Sequence, residues 1–197
     1  MDVLIDTNIL VRRISRHDPQ YRDARDALKA IEARGDRICV APQNIIEFWN
    51  VATRPADRNG LSLTPEVANR VAGRIEEIFH MLTEPIDVYR EWRKLVVLHS
   101  VSGLKVYDAR LVAVSIVHGL KTLVTFNVAD FRCYAGIEIL PSTRAGQRLK
   151  PFDVETSRVD KASLPVQAIA NLAWVRWRYF SRRPCQSPGI NREVERC

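Results

Sequence analysis

Four acidic residues stand where one fold could gather them: Asp6, Glu47, Asp108 and Asp130. Asp6 closes the apolar run Val3-Leu4-Ile5, and Glu47 follows the run Ile38-Cys39-Val40 within the first turns of a helix. Asp108 lies in the first turn of another helix, and Asp130 follows the run Thr122-Leu123-Val124-Thr125. Carboxylates brought close together repel and raise one another's pKa unless a cation neutralises them. Oxygen ligands without His or Cys suit Mg²⁺ or Mn²⁺. Such ions hydrolyse phosphodiesters by activating water and stabilising the leaving oxygen. Each acid alone has an ordinary explanation: Asp6 as a helix cap, Glu47 as a surface residue, Asp108 and Asp130 as charges favoured at helix starts. The four together favour a site.

The elements that must position them alternate. Short apolar runs at residues 3–5, 37–41, 122–125 and 137–140 read as strands buried on both faces of a parallel sheet. Between them the apolar spacing predicts helices after Thr7, at 18–33, from Pro42, and at 64–82, 88–101, 106–118 and 128–134. Pro85-Ile86 is a weak strand candidate. Alternation of this kind implies an α/β fold with a mostly parallel sheet, whose ligands sit beyond the carboxyl ends of the strands.

Apolar content of 46% and charged content of 27% are those of a soluble globular chain. The longest apolar stretch, at 111–120, contains Ser115 and His118 and is too short to span a bilayer. Cys39, Cys133, Cys185 and Cys197 have no paired spacing, so reduced thiols in a cytoplasmic protein are expected, with no zinc site. The four His residues form no catalytic pattern. The net charge of +7 is unevenly spread. Residues 1–143 hold 19 Lys and Arg against 18 Asp and Glu, whereas 144–197 hold 11 against 5. The chain divides accordingly into a compact domain at 1–142 and a basic, Pro-containing extension at 143–197, expected to be poorly ordered. Within the extension only 164–180 could form a helix, and the run at 174–180 interleaves aromatics with arginines.

The chain resembles the PIN-domain ribonucleases, and among them the VapC-type toxins of toxin–antitoxin pairs. The matching segments are Asp6-Thr7-Asn8, Glu47 in Gln43-Asn44-Ile45-Ile46-Glu47-Phe48, Asp108 in Val106-Tyr107-Asp108-Ala109, and Thr125-Phe126-Asn127 followed by Asp130-Phe131. Val51-Ala52-Thr53-Arg54-Pro55 with Asn59-Gly60-Leu61 matches a common variant of the family. The likeness covers about residues 1–142, and the extension departs from it. It implies a PIN-like three-layer fold and a Mg²⁺ or Mn²⁺ site with Asp6 and Asp108 as central ligands, Glu47 and Asp130 completing the acidic pocket. It also implies that Thr7, Thr125 and Asn127 orient water or ligands by hydrogen bonds. Single-stranded or looped RNA would be cut by metal-activated water. Arg12, Arg13, Lys105 and Arg110 lie near the acids and are candidates for holding phosphates, though solvated charges explain them equally well. The resemblance further implies a homodimer and an antitoxin of the VapB type, with the apolar surface of the helices at 18–33 and 64–82 as the contact area, and no membrane association.

Two other readings compete. A non-catalytic RNA-binding or scaffold protein would bind phosphates better without four retained acids. A phosphatase with an aspartate nucleophile usually wants a second acid two residues on, where this chain has Asn8.

Overall fold

In the computed structural model, which describes residues 1–145, the apolar runs pair side by side into one sheet. The basic extension's candidate helix at 164–180 and its aromatic–arginine run lie outside the described residues. The strands are β1 (Asp2–Ile5), β2 (Arg37–Val40), β3 (His80–Met81), β4 (Thr122–Thr125) and β5 (Glu138–Pro141). Their order is β3-β2-β1-β4-β5, and every pairing is parallel. All carboxyl ends therefore share one edge.

Among the described residues seven α-helices connect and cover them: α1 (Thr7–Ile14), α2 (Tyr21–Ala33), α3 (Pro42–Thr53), α4 (Pro65–Ile78), α5 (Ile86–Leu98), α6 (Lys105–Val117) and α7 (Val128–Phe131). Alternation along the strands divides the core in two. Val3, Ile5, Val40 and Val124 meet α1 to α4 on one face. Leu4, Cys39 and Leu123 meet α5, α6 and α7 on the other. The result is the three-layer α/β arrangement expected. Phe48 on the first face and Phe131 on the second are wholly buried. Each contributes on the order of 1.5–3 kcal/mol through the area it removes from water.

Several details differ from the expected elements, among them the ends of α5 and α7, which close at Leu98 and Phe131. The helix expected at 18–33 begins at Tyr21, because Asp18 accepts the Gln20 N–H (2.7 Å) and holds a turn instead. The helix expected at 64–82 stops at Ile78, and His80–Met81 become the edge strand β3, in register with Cys39 and Val40. Pro85-Ile86 is no strand: Pro85 precedes the first residue of α5, where its missing N–H costs nothing. The apolar stripes of α2 and α4 (Ala24, Ala27, Leu28 and Ile31; Ala68, Ala72 and Ile75) are buried in the protein's own core. A partner-facing surface on those helices would have to use other residues, such as the exposed Ile78.

The strand order fixes where a site can form. From β1 the chain passes to β2 on one side, and β4 later returns to β1's other side. Between β1 and β4 the connections diverge, and at such a switch point a crevice opens beyond the carboxyl ends. Asp6 leaves β1 there, and Thr125 ends β4 beside it.

Candidate active site

Asp6 enters this crevice because it is the residue between a buried strand and the first turn of α1. Its backbone is extended (φ −74°, ψ 151°), as an N-cap requires, and Oδ1 accepts a long hydrogen bond from the Asn8 N–H (3.4 Å). The helix-cap explanation therefore holds in part. Far shorter bonds converge on Oδ2: Asn8 Nδ2 donates at 2.6 Å and Thr125 Oγ1 at 2.6 Å. Thr125 Oγ1 in turn accepts from Asn8 Nδ2 (3.0 Å) and from the Asn127 N–H (2.9 Å). Asn8 Oδ1 accepts the Phe126 N–H at 3.2 Å, closing a ring of contacts between the ends of β1 and β4.

Asp6 is 8% exposed, and the pKa of its carboxyl is pushed up to about 6. Burial is the main cause, and repulsion from Glu47 adds to it. The Thr125 and Asn8 hydrogen bonds and the charge of Arg12 pull the other way without overcoming burial.

Glu47 is half-buried on α3, one turn beyond Gln43. Thr7 Oγ1 donates to its Oε2 (2.6 Å) and Gln43 Nε2 to its Oε1 (2.8 Å). Behind them lies Asn44, with no exposed surface. Its Oδ1 accepts the Ala41 N–H (2.7 Å), and its Nδ2 donates to the Ile5 carbonyl (3.2 Å) and to Thr7 Oγ1 (3.1 Å). One buried amide thus joins the end of β1, the start of α3 and the threonine that holds Glu47. Gln43 Nε2 also donates to the Tyr107 carbonyl (2.9 Å), which brings the first turn of α6, and with it the half-buried Asp108, to the same edge. Asp130, half-buried too, is carried by α7, which starts directly after Asn127.

The structure thus joins Asp6 and Glu47, with Thr7 and Thr125, in one hydrogen-bonded cluster. Asn127 takes part through its backbone N–H. Among the described residues no three His, Cys, Asp or Glu side chains are arranged to hold one ion together. That arrangement is compatible with Mg²⁺, which keeps several waters and is usually bound through one or two carboxylates. The hard oxygen donors, with the buried Asp6 repelled by the half-buried Glu47, fit such an ion.

Of the candidate phosphate-holding cations, two approach the cluster. Arg12 lays its guanidinium over the Phe126 ring, 4.2 Å from the centroid, with Nη1 buried and no hydrogen-bond partner among the described residues. Burial lowers its pKa, partly offset by Asp18 and Asp6. Arg110 pairs with Glu84 (2.6 Å) and donates to Gln43 Oε1 (3.4 Å). Arg13 instead turns to α2, where it meets the Tyr21 hydroxyl (3.2 Å), and Lys105 is exposed at the start of α6. Asn8 was visible in the sequence only as part of the Asp6-Thr7-Asn8 start, and Gln43 and Asn44 only as part of the segment around Glu47. Their bonds reach across to β1, β4 and α6, which no local pattern reveals.

The family model for the PIN domain matches residues 3–136. Solved structures share the fold. VapBC2 from Rickettsia felis, bound to a promoter DNA fragment, is 16% identical with a TM-score of 0.53, covering 72% of this chain and 98% of its own. A toxin–antitoxin complex from Klebsiella pneumoniae is 20% identical with a TM-score of 0.52, covering 71% and 97%. VapBC-1 from nontypeable Haemophilus influenzae is 18% identical with a TM-score of 0.52, covering 73% and 99%. No curated protein matches the sequence.

Proposed function

The chain belongs to the PIN-domain family, and from that premise we propose that it is a metal-dependent endoribonuclease, the toxin of a toxin–antitoxin pair. The observation that carries the reading is Asp6: a buried carboxylate at the switch point of a parallel sheet, opposed by Glu47 and kept in place by Thr125 and Asn8. A protein that only needed a helix cap would have little use for an acid whose charge is so disfavoured.

Asp6 and Asp108 would hold Mg²⁺ or Mn²⁺, with Glu47 and Asp130 completing the acidic pocket. When bound, such an ion supplies a nucleophilic water at neutral pH and stabilises charge on the phosphate and leaving oxygens. The chain's own groups do the rest. Thr125 and Asn8 fix the direction of the Asp6 carboxylate, and Thr7 and Gln43 do the same for Glu47. Arg12, which has an unused buried N–H group beside Asp6, would receive a phosphate oxygen of single-stranded RNA. The fold shared with the VapBC complexes supports an antitoxin of the VapB type as partner, and the reading includes association of the toxin as a homodimer. No helix among the described residues is long and apolar enough to cross a membrane.

The test is cleavage of a structured RNA by the purified full chain. Cutting is expected with Mg²⁺ or Mn²⁺ and should stop on addition of EDTA. Cleavage that persists in EDTA, or RNA binding without any cleavage under all metals tried, would reject the nuclease reading.

A further inference from the structure

Beside the acidic cluster, at the start of α5, lies a cavity of about 280 Å³ that the cleavage chemistry above does not use. Its walls are Pro85, Ile86, Tyr89 and Trp92, and Glu84 and Arg110 supply its charged groups. We infer that this cavity receives one unpaired nucleobase of the RNA, guanine in preference to the pyrimidines, and so sets the sequence beside the cleavage point.

Three observations carry the inference, which rests on the ribonuclease reading only for the identity of the polymer. First, the cavity is aromatic and firm. Tyr89 is half-exposed, and its ring centroid lies 5.8 Å from that of Trp92, tilted by 34°. Trp92 is anchored by its indole N–H, which donates to the Val106 carbonyl (3.0 Å). Such faces accept a stacked base at small entropic cost. Second, the charged pair suits a base edge. Arg110 and Glu84 lie side by side (2.6 Å), one offering N–H donors and the other a carboxylate. Guanine presents a carbonyl acceptor beside two N–H donor groups, so a guanidinium and a carboxylate together match it, while uracil lacks the paired donors. An apolar side chain of a protein partner would make no use of either charge, whereas a base edge can bond to the pair while the two stay in contact. Third, the cavity is joined to the acids. Arg110 donates to Gln43 Oε1 (3.4 Å), and Gln43 Nε2 donates to Glu47 Oε1 (2.8 Å). A single glutamine separates the two places.

Nucleoside titration of the ¹⁵N-labelled full chain tests this without metal or cleavage. Guanosine and uridine are the probes, being uncharged and so not repelled by the acids. The Trp92 indole N–H, identified by its disappearance in Trp92→Phe, is the reporter. Guanosine is expected to shift it at millimolar concentration and uridine to shift it less. Tyr89→Ala should weaken guanosine about tenfold, and Glu84→Gln should bring guanosine down to the level of uridine. Absence of any shift, or an unchanged response in folded Tyr89→Ala, overturns the proposal. So does movement of the same resonance on dilution with no nucleoside present, which assigns the cavity to a second copy of the chain. The two readings fail separately. Guanosine binding by a protein that cuts no RNA upholds the cavity and sinks the ribonuclease. Cleavage whose preferred sites are the same in wild type, Tyr89→Ala and Glu84→Gln does the reverse.

Discussion

Strand β1 begins on one aspartate and is followed directly by another, and the two could hardly differ more. At the amino edge of the sheet, Asp2 is partly exposed and receives Arg37 Nε at 2.9 Å, and this hydrogen bond lowers its pKa. Its neighbour Asp36 is similarly provided for. Burial pushes its pKa up, yet the N-terminal ammonium (2.7 Å) and Arg34 (2.8 Å) bring it below the usual range. At the carboxyl edge Asp6 has no cation within ion-pairing distance among the described residues, only neutral donors, and its pKa rises to about 6. Ionised carboxylates therefore favour folding at one end of β1 and oppose it at the other. A cost kept at one edge and removed at the other supports placing the proposed site at the carboxyl edge.

The sharpest way to break this contrast is to neutralise the working edge. Asp6→Asn keeps an oxygen for Thr125 and Asn8, and Asp108→Asn is its counterpart on α6. Each should lower RNA cleavage by more than about 100-fold, beyond what loss of a supporting hydrogen bond usually costs. Stability of metal-free Asp6→Asn should not fall, since the acid it replaces was disfavoured in its charged form. If Asp6 were only a cap, asparagine, an equally good N-cap, would leave activity untouched. Cleavage assays beside thermal melts read both quantities from the same preparations.

A second prediction uses pH. The folded pKa of Asp6 is raised from 3.8 to about 6, so the native state holds this proton more tightly than the unfolded chain does. Its contribution to stability is thus largest below pH about 4 and is lost as pH rises toward 6, after which it is constant. The shift corresponds to about 3 kcal/mol. Asp2 and Asp36 act in the opposite sense: their lowered values add stability above the unfolded pKa, and that stability is lost as pH falls through the folded one. Urea melts of metal-free wild type and Asp6→Asn between pH 4 and 7 should diverge, the wild type losing ground to the variant as pH increases. Mg²⁺ should narrow the gap at pH 7 by binding the native wild type. Parallel curves would show that the Asp6 carboxyl is not held as described.

Much of this was legible in the sequence, for a physical reason. Strands of a parallel sheet are buried on both sides, so β1, β2 and β4 appear as unbroken apolar runs. A residue that follows such a run must lie at the sheet's edge, which is how Asp6 and Thr125 could be placed. Strand β3 left no such trace. It has two residues at an exposed edge, held by backbone pairing to β2, and no side-chain period can develop over that length. The stripes on α2 and α4 were visible, but helical spacing does not say whether an apolar face meets its own core or another chain. Gln43 and Asn44 were hidden more deeply. Their importance lies in partners such as Thr7 and Tyr107, far away in the chain, and nothing local distinguishes them from other polar residues at a helix start.

Asn44 gives the third prediction, of intermediate size. Asn44→Ala removes the acceptor for the Ala41 N–H and the donor to the Ile5 carbonyl, both at buried positions. Loss of about 2 kcal/mol is expected, because the stranded groups keep their desolvation cost. Activity should fall by less than in Asp6→Asn, since Glu47 loses only the order imposed through Thr7. Denaturant midpoints and initial cleavage rates measure the two effects. An unchanged midpoint would show that water replaces the amide and that Asn44 is no hub.

The smallest effect is predicted at the amino edge, where Asp2→Asn loses the partner of Arg37. Exposed pairs gain little, because water and salt screen the charges and two side chains must be held in one geometry. The melting temperature at pH 7 should fall by less than about 2 °C. The difference should shrink further in 1 M salt, and it should also disappear at low pH, where wild-type Asp2 is protonated too. RNA cleavage should be unaffected, since Asp2 is separated from the acidic cluster by the length of β1. A substantial loss of activity in folded Asp2→Asn would mean that the two edges are coupled through the strand, and the division of labour between them would have to be abandoned.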